Sequence, residues 1–155
     1  MTAFFTAIPT ETARALQSGG ADAYGMAPER RISDGGGVPC RHCLRIVPEG
    51  AAYLVLAYRP FAALQPHAET GPVFLCADPC NAPLPGPELP PILDSPGYIL
   101  RGYGSDDRIV YGTGRVVPTF YLTAAAEALL AMPGVEYGHV RSASNNCFQV
   151  AVVKA

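Results

Sequence analysis

The chain has 155 residues, 49% of them apolar and only 15% charged, which excludes disorder driven by high charge and low hydrophobicity. Eleven basic and 13 acidic side chains leave a formal charge of −2. Without a basic excess to neutralise phosphates, no nucleic-acid partner is expected. The length is that of one domain, and residues 1–155 are read as a single one.

Met1 to Ala7 carries no basic residue, and Pro9 and Glu11 interrupt the apolar run, which is not the pattern of a signal peptide. No stretch approaches the ~20 apolar residues needed to span a bilayer. These features predict a cytoplasmic protein with no membrane partner. In that compartment Cys40, Cys43, Cys76, Cys80 and Cys147 are expected as reduced thiols or metal ligands.

Phe4 to Ile8 reads as a short strand. Glu11 to Gln17 reads as a short helix, with Thr10 as its cap and Gly19-Gly20 as its stop. Periodicity is lost from Ala21 to Gly37, and Ser33-Asp34-Gly35-Gly36-Gly37 is a linker without the Lys-Ser/Thr of a phosphate loop. Ala52 to Tyr58 is the most apolar run, with the length of a strand covered on both faces in the middle of a sheet. Val73 to Cys76 predicts a second buried strand. The prolines at 79, 83, 85, 87, 90, 91 and 96 predict irregular surface chain. Tyr98 to Tyr103 and Arg108 to Tyr111 predict a hairpin around Gly104-Ser105-Asp106-Asp107. Apolar residues at 122, 126, 129 and 130 give Leu122 to Ala131 helical spacing, ended by Pro133-Gly134. Val135 to Arg141 and Phe148 to Val153 predict a final hairpin inside the main sheet, with Phe148, Val150 and Val152 sharing a face. About seven strands and two short helices, with neighbours close in sequence, predict an α+β domain with an antiparallel or mixed sheet.

Cys40-Arg41-His42-Cys43 is the most conspicuous motif, because two thiolates separated by two residues can share one tetrahedral zinc. Cys76 and Cys80 supply a second pair, separated from the first by 32 residues. His42 or His67 can replace a sulfur. Leu44 stands just after the knuckle, where zinc ribbons usually have glycine. Two other readings remain open: small buried thiols without metal, and redox chemistry. The redox reading needs a helix start, and Leu44 to Pro48 has no helical pattern.

Strand alternation places Tyr137, His139 and Arg141 on one face, and Cys147 opens the partner strand. His139 beside Cys147 would make a base and a thiol nucleophile. The plainer reading has His139 and Arg141 anchoring the Ser142–Asn146 loop. Arg101, near Asp106 and Asp107, reads either as an ion-pair partner or, with Arg41 and Arg141, as part of a grip on a small anion. Ten of the 11 basic residues are arginine, a fork suited to carboxylate or phosphate.

Several of these segments together resemble the bacterial domain-of-unknown-function family 1203. They are Val38-Pro39-Cys40-Arg41-His42-Cys43-Leu44, Tyr58-Arg59-Pro60-Phe61, Gly71-Pro72-Val73-Phe74, Leu100-Arg101-Gly102-Tyr103, Val140-Arg141-Ser142-Ala143 and Asn146-Cys147-Phe148. The resemblance implies no reaction. It directs attention to Cys40, Arg41, His139 and Cys147, and Arg41 and His139 are expected on the same side of the sheet, near Cys147. The sequence therefore predicts a non-catalytic binding or interaction domain holding a structural zinc on Cys40, Cys43, Cys76 and Cys80. The alternative is a thiol enzyme with Cys147 as nucleophile and His139 as base, and with Arg41, Arg101, Tyr137 and Arg141 binding a small anionic substrate.

Overall fold

The structure is a computed structural model that describes all 155 residues. Two compact units interleave along the chain. Met1–Thr6, Pro60–Glu69 and Leu84–Ala155 form one, and Ala7–Arg59 with Thr70–Pro83 form the other. Each carries its own antiparallel sheet, so the fold is α+β with eight strands and two α-helices. No helix is long and apolar enough to cross a membrane.

The first unit contains β1 (Ala3–Thr6), β5 (Gly97–Tyr103), β6 (Arg115–Pro118), β7 (Tyr137–Ser142), β8 (Phe148–Lys154) and α2 (Leu122–Leu130). Its sheet runs in the order β1-β8-β7-β5-β6, so the β7–β8 hairpin lies in the interior, as the alternation predicts. Leu100, Val140, Val150 and Val152 are buried on one face. Helix α2 covers that face closely. A Cβ on Gly138 would lie 2.8 Å from Leu129 Cδ2, and one on Gly102 would lie 3.0 Å from Leu129 Cδ1. Both glycines are thus required by the approach of the helix rather than by a turn.

The other face is polar and aromatic. Register pairs Tyr103 with Tyr137, Arg101 with His139, and Ile99 with Arg141. Phe148 joins this face and not that of Val150, contrary to the simple alternation. Val140 pairs with Val150 but Arg141 pairs with Phe148, leaving Gln149 as an extra residue in β8. One inserted residue reverses the side of everything before it.

The predicted strand at Arg108 to Tyr111 does not form. Only an isolated bridge, Tyr103 to Ile109, forms there, and β5 pairs instead with β6. The turn at Gly104–Asp107 does form, with Gly104 N–H donating to Arg108 O at 2.9 Å. Thr113 then takes the place of a strand residue, receiving Gly102 N–H on its hydroxyl at 3.0 Å. Local turn chemistry was correct, but the ladder went to a segment farther along the chain.

The second unit contains α1 (Thr10–Gln17), β2 (Glu29–Ile32), β3 (Ala52–Tyr58) and β4 (Gly71–Cys76), in sheet order β2-β3-β4. β3 is central, as its apolar run predicts. It buries only one face fully, with Leu54 and Leu56 opposite Leu75 and Val73. β2 is wholly exposed and has no apolar alternation, so it exists through its backbone ladder to β3. The proline-rich stretch from 77 to 96 contains no helix or multi-residue strand, as expected.

Candidate metal centre

The segment between β2 and β3 doubles back as a knuckle. Val47 N–H donates to Val38 O at 2.8 Å, and Cys40 N–H donates to Arg45 O at 2.9 Å. Leu44 N–H closes the turn on Cys40 O at 2.9 Å, and Leu44 holds φ at 58°. That is the left-handed conformation a glycine would supply; here leucine adopts it. The turn aims Cys40 and Cys43 the same way. Arg41 N–H donates to Phe74 O at 2.9 Å, which docks the knuckle on β4, whose last residue is Cys76. Cys80 follows in the loop after β4.

The four Sγ atoms of Cys40, Cys43, Cys76 and Cys80 all lie within 4.8 Å of one another. Cys40 to Cys80 and Cys43 to Cys76 are each 3.8 Å. Sulfurs at ~2.3 Å from a tetrahedral zinc stand about 3.8 Å apart, so the separations fit that ion. Cys40 is 0% and Cys43 8% exposed, while Cys76 and Cys80 are half-buried.

The surroundings prepare the cluster for charge. Cys43 N–H and Cys76 N–H both donate to Cys40 Sγ, at 3.4 and 3.2 Å. The thiol of Cys43 and these amides hold the Cys40 pKa down to about 4 against its burial. The hydrogen bond to that thiolate, then burial, push Cys43 up. Burial, then the charge of Cys40, push Cys76 up to about 12 and raise Cys80 as well. Four thiols so close thus resist being charged together. A divalent cation at their centre reverses this, because coordination deprotonates a thiol outright.

His42 is a contact the sequence did not explain. Its Nδ1 lies 3.1 Å from Cys80 Sγ and its Nε2 lies 2.9 Å from Thr10 Oγ1. It is fully buried, and that burial lowers its pKa. His42 therefore stands behind a sulfur rather than replacing one. Thr10 does not cap α1: Pro9 occupies the cap, no side chain bonds the free amides, and the hydroxyl turns to His42 instead. Helix α1 also holds the second cysteine pair. Arg14 Nη2 donates to Cys80 O at 2.6 Å, and Gln17 Nε2 donates to Cys76 O at 2.9 Å and Asp78 O at 3.1 Å. Nothing in the spacing of Thr10, Arg14 and Gln17 signalled these contacts.

The remaining candidates occupy the five-stranded unit, except Arg41, which sits in the knuckle. His67 is there too, with Nδ1 accepting Ile109 N–H at 3.1 Å, and is not part of the cysteine cluster. Tyr137, His139 and Arg141 do share a face. Tyr137 stacks on Tyr103 at 5.3 Å and donates to Asp107 Oδ1 at 2.8 Å; burial, then that bond, raise its pKa. His139 and Arg141 are each 2% exposed. Arg141 Nη2 lies 3.2 Å from His139 Nδ1, and Nη1 donates to Asn146 O at 3.1 Å, so Arg141 anchors the loop while His139 bonds Arg141 rather than the loop. Burial, then the charges of Arg141 and Arg101, lower the His139 pKa well below its ordinary value. Arg101 pairs with Glu69 and donates to Tyr103 Oη at 3.0 Å. Asn146 also donates to Glu69. The residue opposite His139 is Ala151, and Cys147 lies beyond Phe148 at the strand end. The Cys147 thiol faces Asn145 O at 3.7 Å, and its amide donates to Ser142 Oγ at 3.0 Å.

Comparison with known proteins gives one match. The model of the family described as "Protein of unknown function (DUF1203)" covers residues 37–154, and the chain belongs to that family. The matched segment includes all four clustered cysteines and His42 but not α1. No curated protein and no solved structure matches the chain.

Proposed function

We propose that this DUF1203 member is a non-catalytic binding domain whose three-stranded unit is held together by one structural zinc. The observation that carries this reading is the convergence of four sulfurs from two distant pairs, all within 4.8 Å and two pairs at 3.8 Å, beside amides already aimed at Cys40. Four protein ligands close the coordination sphere. Catalytic zinc sites use three and leave a position for water. The ion would tie the knuckle to the end of β4, so its binding energy would serve as folding energy for that unit.

The partner class we assign is a small anionic molecule, supported by a set of cations that is almost entirely planar arginine forks. A cytoplasmic location belongs to the same reading, supported by five free cysteines. Elemental analysis of protein purified without chelator tests the centre. One zinc per chain is expected, with a lowered melting temperature after its removal. Less than about a tenth of a zinc per chain, in protein that folds equally well, would overturn the reading.

A further inference from the structure

We propose that Cys80 is the site at which a hydroperoxide oxidises this centre, and that Cys40 resolves the product as a Cys40–Cys80 disulfide with release of the metal. The inference rests on the zinc reading above, but its core is a difference among the four sulfurs that the geometry shows directly.

Cys40 and Cys43 are buried inside the knuckle, so an oxidant reaches Cys76 or Cys80 first. These two are held differently. Cys76 ends β4, is in register with Tyr53, and gives its amide to Cys40 Sγ. Moving it means breaking a sheet ladder. Cys80 lies outside any strand. Its contacts come from side chains: Arg14 to its carbonyl, and Gln17 and His42 to its sulfur at 3.8 and 3.1 Å. Each of these bonds crosses to side chains that can follow a small loop movement or be replaced by water. Cys80 is therefore the ligand that leaves most readily and meets solvent when it does.

Its nearest sulfur is Cys40, at 3.8 Å. Cys40 stays in place while Cys80 reacts, because two backbone amides hold its sulfur. The Cys80 thiolate attacks the distal oxygen of a hydroperoxide, the O–O bond breaks, and an alkoxide or hydroxide leaves with a proton from water. The resulting sulfenic acid is attacked at sulfur by the Cys40 thiolate, and hydroxide leaves and is protonated. Two thiolates, one hydroperoxide and two protons thus give one disulfide, one alcohol or water, and one further water. Cys43 and Cys76 alone leave zinc with two ligands, and it departs. The disulfide joins the same two segments that the ion joined, residues 40 apart in sequence, so the link between the knuckle and the loop after β4 survives in oxidised form.

The test uses the full chain, zinc-loaded, with hydrogen peroxide as the probe. Zinc release is followed with a chromogenic chelator, and the linkage is mapped by digestion without reductant. Release in step with a Cys40–Cys80 linkage is expected. A Cys40–Cys43 or Cys76–Cys80 linkage, or release with no disulfide, would overturn the proposal. The same map is made on metal-free chain. If the chain binds no zinc, the proposed function falls while the pairing is still decided. A chain carrying Arg14→Met loses the hydrogen bond to Cys80 O without losing a ligand. Its peroxide-dependent release should quicken by about three- to tenfold, the effect of losing one such hydrogen-bonded restraint. An unchanged rate would refute Cys80 as the first ligand to leave.

Discussion

Thr10 Oγ1 sits 2.9 Å from Nε2 of His42, although 32 residues separate them. This contact fixes the direction of a relay. With a cation on the sulfurs, Cys80 is a thiolate and can only accept, so His42 must donate from Nδ1. Nε2 then accepts, and the Thr10 hydroxyl is its donor. Nitrogen-15 spectra of the zinc-loaded protein should show the Nδ1–H tautomer for His42. The Nε2–H tautomer would reverse the relay. Thr10→Val leaves a buried ring nitrogen unsatisfied and should cost about 1–3 kcal/mol in denaturant unfolding.

Leu44 supplies a second expectation. Its φ of 58° costs an ordinary L-residue about 1–2 kcal/mol, and a β-branched side chain more. The stability order should be Gly at least equal to Leu, and both above Val, at this position. Urea midpoints for Leu44→Gly and Leu44→Val check it. A valine variant as stable as the native chain would show that the turn is not held as described.

Gly138 is where α2 approaches β7 most closely. Gly138→Ala places a methyl 2.8 Å from Leu129 Cδ2 and 3.1 Å from Arg101 O. The leucine can give way but the carbonyl cannot, so the substitution should destabilise by about 1–3 kcal/mol. The denaturation midpoint should fall with an unchanged slope. Adding Leu129→Ala should recover part of the loss that overpacking causes, even though it costs stability by itself. Strictly additive losses would rule out the clash.

His139 should make stability depend on pH. Burial, Arg141 and Arg101 lower its folded pKa well below 6.5, and its other neighbours are the rings of Tyr103, Tyr137, Phe61 and Phe148. Below that value the unfolded chain takes up a proton that the folded chain refuses. The unfolded state then binds more protons, so stability falls as pH falls. This contribution is complete above about pH 6.5 and is lost below it, by up to about 1.4 kcal/mol per pH unit. His139→Gln keeps an acceptor for Arg141 and should flatten the slope between about pH 5 and 6.5. A slope equal to that of the native chain would locate the effect elsewhere.

The sequence by itself determined the elements that rest on local pattern. Apolar spacing at 122, 126, 129 and 130 made α2, because helix periodicity is a property of neighbours three and four apart. Alternation made β7 and β8, and two short cysteine spacings marked the four clustered thiols, because each pair lies within one turn of chain. Only the tertiary structure decided how these local pieces joined. It chose β6 over the segment after Gly104 as the partner of β5, since either could complete the ladder and sequence distance did not discriminate. It inserted Gln149 as a bulge and so turned Phe148 toward His139, a reversal that alternation alone cannot express. It closed 32 residues between Cys43 and Cys76 into one cluster, a loop whose entropic cost grows only slowly with length. And it took Thr10 from its helix cap to His42, because a buried ring nitrogen needs a partner more than a solvated helix end does.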